Sequence, residues 1–294
     1  MKKRSILAIS IALLLALATV GLSACKGASF DANKNISVVA REDGSGTKSA
    51  FMEIVGLKGK SDIKGIIIGT GTAGVLAEVK GNPQAIAYES LGYVTADVKK
   101  LTVEGKEANT ANIKDGSYKI ARPLNILFKQ ETLNNTLNKA FYDFLASKTA
   151  QDIISENGYV STKDNAPTYN LQAGLKGTID ISGSTSLQPL MIVLAQKFED
   201  IQSGVSITVS GGGSGTGYKN ANDGVSDFGM ISEEFNQSKA PNCSSQEVAK
   251  DGIAIIVNKK NPITNITLAD IKAIYNAEQP ADSKIVTWSQ IGNK

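Results

Sequence analysis

Three short clusters rich in glycine, serine and threonine constrain the fold of this chain more than any other feature of its sequence. Each stands where a β-branched run gives way to a stretch of helical character: residues 43–48, 183–186 and 211–217. Strands that turn at once into helices are typical of α/β proteins with parallel sheets. The sequence therefore predicts an α/β fold.

The pattern between the clusters agrees with this fold. Six β-branched runs are predicted as strands: residues 36–39, 65–68, 85–88, 179–182, 205–209 and 253–257. Three stretches carry the 3.6-residue apolar period and are predicted as helices: residues 136–146, 187–198 and 267–275. Residues 161–177 are polar, aperiodic and contain glycine and proline, which predicts a linker between two sections of the chain.

Loops of this composition are also suited to binding oxyanions. The first turn of a helix has unpaired N–H donors and a partial positive charge, glycine lets the backbone approach an anion, and hydroxyls add donors. Each loop by itself could equally be a capped helix after a tight turn. Three loops together, one of them closely preceded by Arg41, favour a shared anion site, because a guanidinium can donate to two oxygens of one phosphate. A surface salt bridge of Arg41 with Glu42 or Asp43 is the alternative.

The composition excludes several kinds of function. The 294 residues include no histidine, which removes His-based catalytic triads, His-ligated metals and the commonest general base. We expect no cofactor and no metal. The formal charge is +3 and the basic residues are not clustered, so nucleic acid is not an expected partner.

The first 25 residues predict export and a lipid anchor. A basic start is followed by an apolar run over residues 6–22 and then by Ser23, Ala24 and Cys25. This order is typical of a secretory signal that ends in a lipobox, so we expect a signal peptide over residues 1–24, a lipidated Cys25 and a tether over residues 25–35. A transmembrane helix is the alternative, although the run is short of the ~20 residues that a span prefers. The prediction is an extracytoplasmic protein anchored to the cell membrane.

Longer strings around the three loops resemble one known family. They are VVAREDGSGTKSAF (38–51), ISGSTSLQPL (181–190), VSGGGSGTGY (209–218), DFGMIS (227–232) and DGIAIIVNKKNP (251–262). These strings are similar to those of the phosphate-binding lipoprotein of high-affinity phosphate ABC importers, the PstS family. In most members the GSTS segment precedes the REDGSGT segment, whereas here it follows, which indicates a circular permutation. A truncated tandem duplication is the alternative, and it is disfavoured because each motif occurs once.

The resemblance implies a two-lobed type II periplasmic-binding-protein fold with hinge strands and no enzymatic activity. Lobe A would span residues 122–246 and contain the linker, and lobe B would combine residues 36–121 with 247–294. The protein, expected to be a monomer, would capture inorganic phosphate between the lobes and deliver it to an ABC importer permease. The resemblance implies these ligand-binding residues: Arg41, Ser45, Gly46, Thr47, Thr185, Ser186, Ser214 and Ser232.

Ser232 departs from the common family pattern. Many members have an aspartate here, which accepts a hydrogen bond from the P–OH group of phosphate and so rejects sulfate. A hydroxyl can also accept a hydrogen bond, but we expect weaker discrimination against sulfate. Glu233 follows where related sequences often carry arginine, and we expect it to face solvent or to contact the other lobe.

Two other functions stay open. The first is a binding protein for another oxyanion, such as sulfate, molybdate or an organic phosphate. The second is a dinucleotide-dependent enzyme, since residues 69–74 fit G-x-G-x-x-G after a predicted strand. Glu89 lies closer to this pattern than the ~20 residues expected of a ribose-binding acid, so the enzyme is the weaker alternative.

Overall fold

The computed structural model describes residues 29–292, and the residues from Asp31 onward form one compact unit. The predicted signal peptide, Cys25 and the first part of the tether lie outside the described residues. Within residues 29–292, no helix combines the length and apolarity needed to cross a membrane.

Strands and helices alternate along most of the described chain. The strands are β1 (Ser37–Arg41), β2 (Ile67–Gly69), β3 (Ala85–Ser90), β4 (Val98–Lys100), β5 (Thr102–Val103), β6 (Ala121–Lys129), β7 (Val160–Ser161), β8 (Gly177–Gly183), β9 (Val205–Gly212), β10 (Phe228–Ile231), β11 (Cys243–Asn258) and β12 (Asn265–Ile266). The helices are α1 (Gly46–Ile54), α2 (Gly71–Gly81), α3 (Thr110–Lys114), α4 (Thr136–Leu145), α5 (Lys148–Glu156), α6 (Gln188–Ile201), α7 (Ser214–Asp223) and α8 (Leu268–Tyr275). Every predicted strand and helix is present, with its ends shifted by a few residues in most cases.

The main sheet has the order β2-β1-β3-β11-β6-β10-β8-β9. On one side β1 runs parallel to β2 and β3, and on the other side β8 runs parallel to β9 and β10. We call the half that contains β1, β2 and β3 lobe B, and the half that contains β8, β9 and β10 lobe A. The protein is therefore a two-lobed α/β protein, as predicted.

The long strand β11 joins the two lobes. It pairs with β6 from Cys243 to Gly252 and with β3 from Ile253 to Val257, antiparallel in both cases. Only the second part was predicted from sequence, and β11 crosses the expected lobe boundary at residue 247. A strand whose two halves have different partners has the geometry of a hinge.

Each lobe has an aromatic core on its own part of the sheet. In lobe A, Phe141 of α4 packs edge-on against Phe198 of α6, with ring centroids 5.2 Å apart. In lobe B, Phe51 of α1 stacks on Tyr88 of β3 at 3.8 Å, and Tyr275 of α8 closes the cluster at 5.0 Å. The helices thus bury their apolar stripes against strands, and the polar loops at the strand ends are left to meet each other.

Candidate oxyanion-binding site

The three glycine- and hydroxyl-rich loops all follow the carboxyl ends of parallel strands. The first joins β1 to α1, where the Ser45 hydroxyl caps the helix by accepting from the Lys48 N–H at 3.3 Å. The second joins β8 to α6, where the Ser184 hydroxyl accepts from the N–H groups of Ser186 and Leu187. The third joins β9 to α7 through Gly213, whose φ of 88° is a conformation that favours glycine.

Arg41 connects the first loop to the second across the two lobes. Its side chain is only 1% exposed. Nη2 donates to the Thr185 hydroxyl at 2.9 Å, and Nη1 donates to the Thr47 hydroxyl at 3.3 Å. The Thr47 hydroxyl in turn lies 3.0 Å from the Ser186 hydroxyl. One guanidinium thus faces hydroxyls from both lobes.

The first and third loops are equally close. The Gly215 N–H donates to the Gly44 carbonyl at 2.9 Å, which is a direct backbone contact between the lobes. A methyl group added at Gly46 would lie 2.2 Å from the Ser214 hydroxyl oxygen and 2.8 Å from that of Ser232. Only glycine fits at residue 46 in this arrangement.

Ser232 lies just beyond β10 and completes the cluster. Its N–H donates to the Ser214 hydroxyl at 3.1 Å, and the two hydroxyl oxygens are 3.4 Å apart. The structure thus gathers all eight residues that the family resemblance implied. Their role in binding a ligand stays a prediction.

Two carboxylates balance the charge of Arg41. Glu42 accepts from Nε and Nη2, each at 3.0 Å, and Glu89 accepts from Nη1 at 3.4 Å. Burial disfavours the charged guanidinium, but Glu89 and Glu42 outweigh it and raise the pKa of Arg41 above its ordinary value. Burial also raises the pKa of Glu89, although Arg41 acts to lower it. The alternative of a surface salt bridge is wrong, because Arg41 is buried. Its salt bridge with Glu42 exists together with the hydroxyl contacts.

Sequence reasoning did not place two residues in this cluster: Thr72 was not singled out, and Glu89 was considered only as a ribose-binding acid. Glu89 is fully buried at the end of β3, and Thr72 at the start of α2 donates its hydroxyl to Thr185 at 3.2 Å. Glu89 lies near the end of β3 and Thr72 follows β2. Both strands neighbour β1, so both residues lie at the same edge of the sheet as Arg41. A parallel-strand order inferred from sequence would have pointed to them.

The glycine-rich stretch at residues 69–74 contributes to the same cluster. The Gly71 N–H donates to the Glu42 carboxylate at 3.1 Å. A carboxylate therefore occupies the donor that a pyrophosphate would need, which argues against a dinucleotide site.

Glu233 does not face solvent, which was one of two expectations for it. It is 5% exposed and pairs with Lys239 at 2.9 Å. It lines a groove of about 630 Å³ between the lobes, to which lobe B contributes Ser45 and Lys48. Glu233 thus belongs to the rim of the cleft.

Two α/β lobes that share hinge strands, with anion-suited loops from both lobes meeting around one arginine, define the class of two-lobed solute-binding proteins. The chain belongs to the PBP superfamily, whose domain model matches residues 27–149 and 170–293. The predicted periplasmic-binding-protein fold is confirmed.

Several relatives share most of their length with this chain. The phosphate-binding protein PstS 2 of Streptococcus agalactiae is 34% identical over 281 residues, 92% of each chain. PstS 2 of Streptococcus pneumoniae is 33% identical over 294 residues, 95% of this chain and 98% of that one. A crystal structure of a phosphate ABC transporter phosphate-binding protein from Streptococcus pneumoniae superposes with a TM-score of 0.69 and 32% identity, and covers 87% of this chain and 99% of its own.

The phosphate-binding protein PstS of Bacillus subtilis matches differently. It is 30% identical over 141 residues, which is 47% of this chain and 45% of that protein. A match over half of each chain is what a permuted order of segments would produce. The permutation itself stays a prediction.

Proposed function

We propose that this protein captures inorganic phosphate in the cleft between its lobes and delivers it to an ABC importer. The observation that carries the proposal is the buried Arg41 guanidinium, which faces the hydroxyls of Thr47 in lobe B and Thr185 in lobe A. The chain matches phosphate-binding proteins over nearly their whole length, and one of these is described as part of a phosphate ABC transporter. These relatives support both the ligand and the transporter.

The mechanism is capture by closure. Phosphate would take the place of the direct contact between Arg41 and Thr185, so that each lobe binds the other through the anion. The hydroxyls of Thr47, Ser186 and Ser214 would donate to the remaining oxygens. Contacts from both lobes exist only in the closed state, and this differential affinity shifts the equilibrium toward closure.

The helix starts add a second source of stabilisation. Helices α1, α6 and α7 all begin within the cluster, at Gly46, Gln188 and Ser214. Their first-turn N–H groups and partial positive charges favour an anion. No bond is made or broken in this function, so the site needs donors rather than a nucleophile.

Ser232 is the position that would set anion selectivity. Its hydroxyl can accept a hydrogen bond from the P–OH group of a phosphate monohydrogen anion, and it can also donate to an unprotonated sulfate oxygen. Sulfate or another oxyanion is therefore the competing ligand, and discrimination against it would be weaker than with an aspartate.

The proposal includes a location outside the cytoplasm. The lipobox sequence before Cys25 supports a lipid anchor there, with the importer permease as the membrane partner. We propose that the protein acts as a monomer, because the cluster is assembled entirely from one chain.

Calorimetric titration of the delipidated protein with phosphate, sulfate and molybdate tests the ligand. Phosphate should bind with submicromolar affinity in the presence of excess sulfate, and Arg41→Ala should abolish binding. Lys139→Ala is the matched control, since it also removes one positive charge but at a surface pair with Asp143. Tighter binding of sulfate or molybdate would replace phosphate as the ligand.

A further inference from the structure

A second buried arginine lies where the lobes join. Arg122, on β6, is opposite Asp251 in the register of β6 and β11, and its Nη2 donates to the Asp251 carboxylate at 3.0 Å. The Ser90 hydroxyl, at the end of β3, donates to the same carboxylate oxygen at 2.8 Å. The pair thus sits beside Gly252 and Ile253, where β11 exchanges β6 for β3.

The other end of the guanidinium reaches the candidate site. Arg122 Nη1 donates to the backbone carbonyl of Ser232 at 3.0 Å. Ser232 presents its N–H and hydroxyl to Ser214 on the opposite side. Arg122 therefore binds the carbonyl of Ser232, while the N–H and hydroxyl of Ser232 contact the third loop.

Two features indicate that this ion pair contributes more to the positioning of neighbouring groups than to the stability of the fold. Burial raises the pKa of Asp251 and outweighs Arg122 and the Ser90 hydroxyl, which act to lower it. Buried ion pairs are in general no more stabilising than apolar residues of the same volume. A planar guanidinium can nevertheless hold two acceptors at a fixed distance and angle, which lysine cannot do.

We propose that Arg122 is a positioning residue of the anion site: it connects the hinge strands, through Asp251, to the Ser232 peptide and so sets where the Ser232 hydroxyl lies when the lobes close. The inference rests on the proposed function. It adds a residue that lies outside the eight-residue cluster and contacts it through the Ser232 carbonyl.

The test uses the variant Arg122→Lys, alone and combined with Ser232→Ala. Lysine keeps the charge opposite Asp251 but cannot also reach the Ser232 carbonyl, so the dissociation constant should rise about tenfold, the effect of one hydrogen bond to a charged group. In the Ser232→Ala background the same change should have an effect of about twofold or less, because its target hydroxyl is gone.

Tyr118→Phe is the matched control for stability. The Tyr118 hydroxyl is buried at the same hinge and donates to the Ile253 carbonyl at 2.8 Å, but it does not contact Ser232. It should lower the midpoint of urea unfolding and leave the dissociation constant within about twofold of the wild-type value.

The outcomes separate this inference from the proposed function. Each variant is titrated with whichever of phosphate, sulfate and molybdate the wild type binds, so sulfate binding would remove the phosphate assignment and leave the Arg122 test intact. Wild-type affinity in Arg122→Lys, equal loss of affinity in Tyr118→Phe, or additive effects with Ser232→Ala would each overturn the inference. A wild-type protein that binds none of the three anions would overturn both.

Discussion

Arg41 and Arg122 are both buried and both paired with carboxylates, yet their surroundings differ in kind. Arg41 donates to side-chain hydroxyls on loops from two lobes, in addition to Glu42 and Glu89. Arg122 donates to a carboxylate on a neighbouring strand and to a backbone carbonyl, and no hydroxyl is among its partners in the described structure.

This difference separates a group that can exchange partners from one that cannot. Thr185 belongs to lobe A and Arg41 to lobe B, so in the proposed mechanism their contact breaks when the lobes open, and an anion can take its place on closure. The partners of Arg122 belong to the sheet and its immediate end, where ladder hydrogen bonds hold them. The two buried arginines would therefore have one transient and one permanent set of contacts.

The largest effect is expected from deleting the permanent pair. Arg122→Met leaves the Asp251 carboxylate buried without its counter-ion, which should lower the free energy of unfolding by about 3–5 kcal/mol at neutral pH. Burial already raises the pKa of Asp251. The contribution of this carboxyl group to folding stability is therefore present at low pH and is lost as pH rises. The loss in urea unfolding should therefore be smaller at about pH 5 than at about pH 8.

The double variant Arg122→Met with Asp251→Leu supplies the control. It removes both charges and should regain most of the stability lost in Arg122→Met. A double variant as unstable as Arg122→Met, or a loss independent of pH, would show that the Arg122 contacts are not governed by this charge pair.

A smaller effect is expected at the contact between loops. In Gly46→Ala the added methyl group meets Ser214 and Ser232, so the lobes cannot close fully and phosphate affinity should fall by about tenfold, an overpacking effect of ordinary size. Gly81→Ala is the control, since a methyl group there meets no atom within 4 Å. Unchanged affinity in calorimetry of Gly46→Ala would mean that the closed arrangement of these loops is not the binding state.

The smallest effect concerns Glu42, the more exposed carboxylate at Arg41. Burial acts to raise its pKa, but Arg41 and the Gly71 N–H outweigh this and hold the pKa below its ordinary value. The stability that the Glu42 carboxylate contributes to the fold is therefore present above its unfolded-state pKa. It is lost as pH falls through the folded-state pKa.

Glu42→Gln should make the loss of stability on acidification less steep between about pH 5 and about pH 3. The difference should be under about 1 kcal/mol, because the Glu42 side chain is 26% exposed and solvent screens the pair. Urea midpoints measured across this range for both proteins check it, and identical pH profiles would contradict a stabilising Arg41–Glu42 pair.

The missed strand β6 shows where sequence patterns were insufficient. Ile126 is the only β-branched residue of β6, and Pro123 normally argues against a central strand. The structure nevertheless pairs β6 with β10 and β11 on its two sides. Pro123 opposes Lys250 there, close to the irregularity in register between Glu247 and Ala249. Tertiary pairing overrode the local preference.

Sequence alone determined the strand–loop–helix units of this protein and the oxyanion-suited composition of their loops, because both depend on periodicity and on residues within a few positions of each other. Only the tertiary structure decided which loops meet and which carboxylate pairs with which arginine. Arg41 and Thr185 are 144 residues apart, and Arg122 and Asp251 are 129 apart. Contacts over such separations follow from the strand order of the sheet, which no local pattern specifies.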